Sequence, residues 1–147
     1  MKIFILTLLV IFQLGGSNVA FARLGETEQE ITARYGTGTK VAPRFPNTTN
    51  MRYSKNGFKI YVCFLEGKSF SEQFCYDIPV KWSDEAIEKF IKALSPDESW
   101  TYSKRNRLWY RNNKAVIVRR EPGHEDWLII EDRAATKKID ESKTKGF

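Results

Sequence analysis

Residues 57–77 read GFKIYVCFLEGKSFSEQFCYD. Phe58, Ile60, Val62 and Phe64 alternate with Lys59, Tyr61, Cys63 and Leu65. That period of two marks a strand with one face in a core. Glu66-Gly67-Lys68 reads as a turn, and Phe70, Phe74 and Tyr76 bring the alternation back. A three-residue loop would set Phe64 opposite Phe70, Ile60 opposite Phe74 and Phe58 opposite Tyr76. A one-residue slip would scatter these large apolar groups over both faces. The hairpin is therefore expected at the centre of an antiparallel sheet in an α+β domain.

The N-terminus points to export. Lys2 precedes an apolar run, Ile3–Phe12, broken only by Thr7. Gln13, Gly15, Gly16 and Ser17 end the run, and Ala20-Phe21-Ala22 fits the small-x-small rule. The run falls short of the roughly 18 apolar residues that span a bilayer. Residues 1–22 are thus expected to be a secretory signal cleaved after Ala22, with the mature chain periplasmic or secreted. The alternative is a chain tethered to the membrane by an uncleaved N-terminus. Residues 23–132 would form a single domain, and 133–147 a charged, frayed or partly helical tail. The chain carries 24 Lys and Arg against 18 Asp and Glu. Only Lys2 of the basic residues lies in the leader, so the excess persists in the mature part and favours anionic partners.

Two helices are expected. Thr27 and Glu30 form a capping box at the start of the first, Ile31 and Tyr35 share a face, and Gly36 can end it. Ser83 caps the second, with Asp84 and Glu85 in its first turn. Trp82 and Ile87 are placed as a hydrophobic staple. Ile87, Phe90, Ile91 and Leu94 then trace one apolar stripe, and Ser95-Pro96 stops it. Between the helices a loop over 37–50 holds an edge strand near Lys40–Ala42 and an Asn47-Thr48-Thr49 acceptor pattern. Met51–Lys55 turns at Asn56-Gly57 into the central hairpin. After the second helix, strands are expected over 100–104, 107–110, 115–119 and 127–131. Leu108 would face Ile117 and Tyr110 would face Ala115. Tyr53-Ser54-Lys55 recurs as Tyr102-Ser103-Lys104. With the matching element order, this admits two α-β-β-β repeats whose two short helices pack on one face of the sheet.

Gly25, Thr27, Ile31, Tyr35-Gly36, Tyr53, Ile60, Val62, Phe64 and Gly67-Lys68 resemble the SmpA/OmlA (BamE-like) and beta-lactamase-inhibitor-protein-like module. The resemblance covers about residues 24–70, with a fainter copy from Trp82 on. It implies a threonine-capped helix that ends at a glycine and leads into a meander with a Gly-Lys turn. It also implies an exported, non-catalytic module that binds proteins.

The chemistry-bearing residues are few. A Cys63–Cys75 disulfide suits an exported chain. In the register above, however, the two lie four residues apart along the strands, about 13 Å, and a disulfide needs Cα atoms within about 7 Å. The bond would require a turn centred on Ser69; otherwise both are half-buried thiols. His124 is the sole histidine and lacks the spacing of a zinc-protease pair. No catalytic residue, metal ligand or cofactor is assigned. From Lys104 to Arg120 there are seven basic residues and no acidic one. Arg107, Trp109, Arg111, Lys114 and Arg120 share one face of that hairpin. This face could take a polyanion, anionic lipid headgroups or an acidic protein. Alternatively, the arginine stems simply cover Trp109 and the valines. The expected function is a non-enzymatic binding module with a protein partner in the envelope or outside the cell and no specific nucleic acid. A small secreted hydrolase or hydrolase inhibitor is the alternative.

Overall fold

A computed structural model describes residues 23–96, 99–111 and 115–144. The leader with its Ala22 site, Asn112–Lys114 and the last three residues lie outside the described residues. Helix α1 (Glu28–Tyr35) leads into β1 (Thr39–Val41), β2 (Thr48–Lys55), β3 (Phe58–Leu65) and β4 (Lys68–Tyr76). Helix α2 (Asp84–Leu94) leads into β5 (Thr101–Ser103), β6 (Leu108–Arg111), β7 (Val116–Glu121) and β8 (His124–Asp132). Helix α3 (Arg133–Thr144) follows. The strands form one antiparallel sheet in the order β1-β2-β3-β4-β8-β7-β6-β5. The last strand of each half meets the other at the middle, Ser71–Cys75 against Trp127–Glu131. The α+β class and the antiparallel sheet stand as expected.

The central hairpin follows its apolar pattern except near the turn. Phe58 faces Tyr76, Ile60 faces Phe74, and Cys63 faces Ser71. Phe64 faces Ser69, not Phe70. The turn has two residues, not three: Leu65 pairs with Lys68, and Glu66 and Gly67 both take positive φ, 51° and 76°. Positive φ at both central positions matches the twist of the flanking strands. A bulge then inserts one extra residue and restores the register beyond it. It also sends Phe70 to the opposite face of the sheet, beside Cys63 and Ile139.

One face carries the main core. Met51, Val62, Ile130, Val118 and Trp109 lie in one row across the sheet, and Tyr53, Ile60, Phe74 and Leu128 lie in the next. Ile31 and Tyr35 of α1 and Ile87, Ile91 and Leu94 of α2 close over them. Both caps form: Thr27 and Glu30 make the reciprocal box, and Ser83 Oγ accepts from Ala86 N.

The second face holds a smaller core, and here the two-helix expectation falls short. Residues 133–144 form a third helix, the helical alternative for this tail and not the frayed one. Asp132 Oδ1 accepts from Ala134 N at 2.8 Å and Ala135 N at 3.2 Å, which caps the helix start. Ala135 and Ile139, four apart, land on Cys63, Phe70, Leu65 and Phe45. Arg133, Lys137, Lys138, Asp140 and Glu141 are exposed on the other sides of this helix.

The β6–β7 pairing differs from expectation by two residues: Leu108 faces Arg119, and Tyr110 faces Ile117. A shift of two preserves which face each side chain takes. Trp109 consequently pairs with Val118 in the main core. The Tyr-Ser-Lys echo falls on the second strand of one half and the first strand of the other.

Gly38 sits where chain leaving α1 passes over the Tyr53 ring. A Cβ there would lie 2.8 Å from Tyr53 Cζ and 2.9 Å from Cδ1, and Tyr53 is buried among core neighbours. Gly38→Ala is expected to lower stability by about 1–3 kcal/mol, measured as a shift in the denaturant midpoint. An unchanged midpoint would mean that this ring is free to move.

Candidate functional site

The basic hairpin does not present its five expected residues on one open face. Trp109 is 2% exposed and packs on Tyr102 at 4.6 Å between centroids. Arg120 turns inward: its Nε donates to Trp82 O at 2.8 Å, and its Nη2 pairs with Asp84. Arg111 lies over the Trp100 ring at 5.2 Å and donates to Ser95 Oγ. Lys114 lies outside the described residues. Arg107 is exposed, at the end of the β5–β6 turn together with Lys104 and Arg105. The strand arginines thus serve the fold, and the turn carries the exposed charge.

The cysteines are free and buried. The disulfide is therefore not formed. Cys63 lies opposite Ser71 and Cys75 opposite Lys59, in different rows of the sheet. Burial pushes the Cys63 thiol up to about 11 and also raises Cys75, whose Sγ donates to Lys59 O at 3.7 Å. Both are protonated at neutral pH, which is the unreactive form. His124 is exposed at the start of β8. Among the described residues no three of His, Cys, Asp and Glu gather as a metal-ligand set. No helix among them is long and apolar enough to cross a membrane.

The loop after β4 stands out. Ile78 is 75% exposed and Val80 51% exposed, the two large apolar side chains left open among the described residues. Both ends of the loop are fastened. Asp77 N donates to Gly57 O at 2.9 Å, and Trp82 N donates to Glu125 O at 3.0 Å. The Trp82 indole N–H reaches Asp126 O at 3.0 Å, and Lys81 pairs with Glu125 at 2.8 Å. Behind the loop stands an aromatic cluster. Trp82 stacks on Tyr76 at 4.7 Å and on Phe58 at 5.9 Å, and Phe90 meets Trp82 edge-on at 5.1 Å. Such packing fixes the base of the loop while its apex stays bare. Strand register brings further groups to the same end of the sheet. The end of β4, the start of β8, the end of β7 and the start of β6 are neighbours there. The β5–β6 turn with Lys104, Arg105 and Arg107 is therefore at this pole too. In the sequence, residues 78–81 form a plain link between β4 and α2. Its one signal was a pair of β-branched aliphatics around Pro79 in a segment with no sheet or helix period.

A second unusual group is sealed. Glu72 is fully buried in the main core row, between Val62 and Ile130. Tyr35 Oη donates to its Oε2 at 2.5 Å, and Arg34 Nη1 lies 3.5 Å from its Oε1. Arg34 also pairs with Glu26. The chain before α1 is tied alongside: Gly25 N donates to Ser69 O, and Ser69 N donates to Glu26 O at 2.8 Å. Burial raises the Glu72 carboxyl, against the opposing pull of Arg34 and Tyr35. Burial beside this carboxylate also raises the Tyr35 phenol. A carboxyl and a phenol in hydrogen-bond contact have the makings of a proton-transfer pair, but substrate has no access to them. Their role is to hold α1 on the sheet. Glu72 shares the inward phase of Phe74 and Tyr76 in the sequence, a signal masked by its charge and by its polar neighbours Ser71 and Gln73.

No protein-family model matches the chain, and no curated protein matches it. Among solved structures the chain is similar to a cysteine-rich secretory protein from Staphylococcus aureus, at 11% identity and a TM-score of 0.44. The match covers 76% of this chain and 45% of that one. The likeness is too slight to bear on fold or function.

Glu72 makes stability depend on pH. Its folded-state pKa is raised above the ordinary 4.5, so its protonated form is the better tolerated one. The resulting stability is full below the unfolded pKa and falls as pH rises through the folded one. Glu72→Gln removes this fall while keeping an acceptor for Tyr35. The melting temperature of the variant, relative to the natural chain, is expected to climb as pH goes from acid to neutral. A constant difference across that range would contradict the assignment.

Proposed function

We propose that this protein is an exported, non-enzymatic binding module that works through the pole formed by the loop 77–81 and the β5–β6 turn. The observation that carries the reading is the exposure of Ile78 and Val80 on a loop fastened at both ends. Two large aliphatics left bare on a loop fastened at both ends, at the same end of the sheet as an exposed basic turn, suit a contact surface. The expectation of export rests on the leader-like residues 1–22. The resemblance of residues 24–70 to BamE-like and inhibitor-protein-like modules leans the same way. The two helix-and-four-strand halves are read as copies of one unit, supported by their common order and by the antiparallel meeting of β4 with β8. The enzyme alternative finds less support: the thiols are buried and protonated, and the Glu72–Tyr35 pair is closed to substrate.

The test uses the mature chain, 23–147, as bait in envelope or culture-medium extract, beside Ile78→Asp/Val80→Asp. Both positions are exposed, so the double variant is expected to keep its melting temperature within about 2 °C, the shift expected of surface changes below ~0.5 kcal/mol. Components that the natural chain retains are expected to fall at least about tenfold with the variant, the loss expected when one buried aliphatic contact is removed. Equal retention by both chains would refute the reading.

A further inference from the structure

We propose that this pole seats the protein on an anionic lipid surface, with Ile78 and Val80 entering the boundary between headgroups and acyl chains and Lys104, Arg105 and Arg107 lying against lipid phosphates. The inference rests on the binding-module reading above and names its partner. Shape argues first. Ile78 and Val80 stand on the apex of a loop, 75% and 51% exposed. A deformable lipid layer accepts exposed aliphatics of this kind without a matching groove. Charge argues second. The exposed basic turn lies at the same end of the sheet. The acids around it are already engaged: Glu125 with Lys81 at 2.8 Å, Glu121 with Arg44 at 2.7 Å, and Asp84 with Arg120. Arg107 and Arg120 bias Glu125 further toward its charged form. Asp77 is the exposed acid of the loop itself.

The combination discriminates between occupants. A soluble polyanion would use the cations and ignore the aliphatics. An apolar groove in a protein would use the aliphatics and gain little from a flanking basic turn. An anionic bilayer rewards both, since one weak apolar anchor becomes stable only with a second, electrostatic signal. The bulk excess of basic over acidic residues favours approach to such a surface.

The experiment is co-sedimentation of the chain 23–147 with vesicles of phosphatidylcholine, alone or mixed with phosphatidylglycerol. Binding is expected only to the mixed vesicles, and to weaken as salt is raised. Arg105→Glu/Arg107→Glu and Ile78→Asp/Val80→Asp are each expected to lower the partition coefficient by about tenfold or more. Circular dichroism melts on both variants verify the fold, and the exposed positions make loss of fold unexpected. The inference is overturned by absence of binding to the mixed vesicles, or by binding that the aliphatic variant leaves unchanged. If vesicles are ignored but a protein is still captured through Ile78 and Val80, the lipid partner falls and the binding-module reading stands. If neither vesicles nor extract respond to those two residues, both fall.

Discussion

The fold depends on one backbone pairing, that of β4 with β8. Each half of the chain contributes a helix and a four-stranded meander. Apart, each would expose its last strand as a bare edge, a template for unwanted pairing. The antiparallel meeting of Ser71–Cys75 with Trp127–Glu131 removes both edges and places Phe74, Leu128 and Ile130 in a core shared by α1 and α2. The outer edges left over, β1 and β5, are only three residues long, which is a common protection against edge-to-edge association.

A buried acid at this seam needs a reason. Glu72 occupies a row that is otherwise apolar, and its desolvation opposes folding. The Tyr35 hydroxyl and the Arg34 guanidinium offset part of that penalty, and only the observed register brings them together. A one-residue slip of β4 would carry the carboxylate to the other face, away from both. A slipped pairing would therefore leave this acid without either partner. The same seam builds the pole. It sets the end of β4 beside the start of β8, where the Glu125 and Asp126 carbonyls can hold Trp82 and so fasten the loop bearing Ile78 and Val80.

Much of the main core was legible in the sequence because alternation and helical spacing respond directly to burial. Phe58, Ile60, Phe74 and Tyr76 found their expected partners, and Thr27 and Ser83 their expected caps. Phe70 did not, because a two-residue turn followed by a bulge preserves the distant register while moving one side chain across the sheet. Residues 133–144 read as a tail because two small contacts, Ala135 and Ile139, are diluted by charge, although Asp132 carried a capping signal. The basic run misled for a different reason. Arginine stems pack over aromatic rings as readily as they face water, so Arg111 and Arg120 went inward while Trp109 entered the core. Ile78 and Val80 could not be recognised as exposed from a linker pattern alone, since exposure depends on where the two meanders join.

Native-state hydrogen exchange followed residue by residue tests the seam most directly. If the β4–β8 pairing makes one cooperative unit of the two halves, amides of Ser71–Cys75 and Trp127–Glu131 will be among the slowest. They will exchange together, with the free energy of global unfolding and the same denaturant dependence. If the β5–β8 amides instead open at lower free energy while β2–β4 stay protected, the halves are independent, and the account of a single sheet organised around this pairing is wrong.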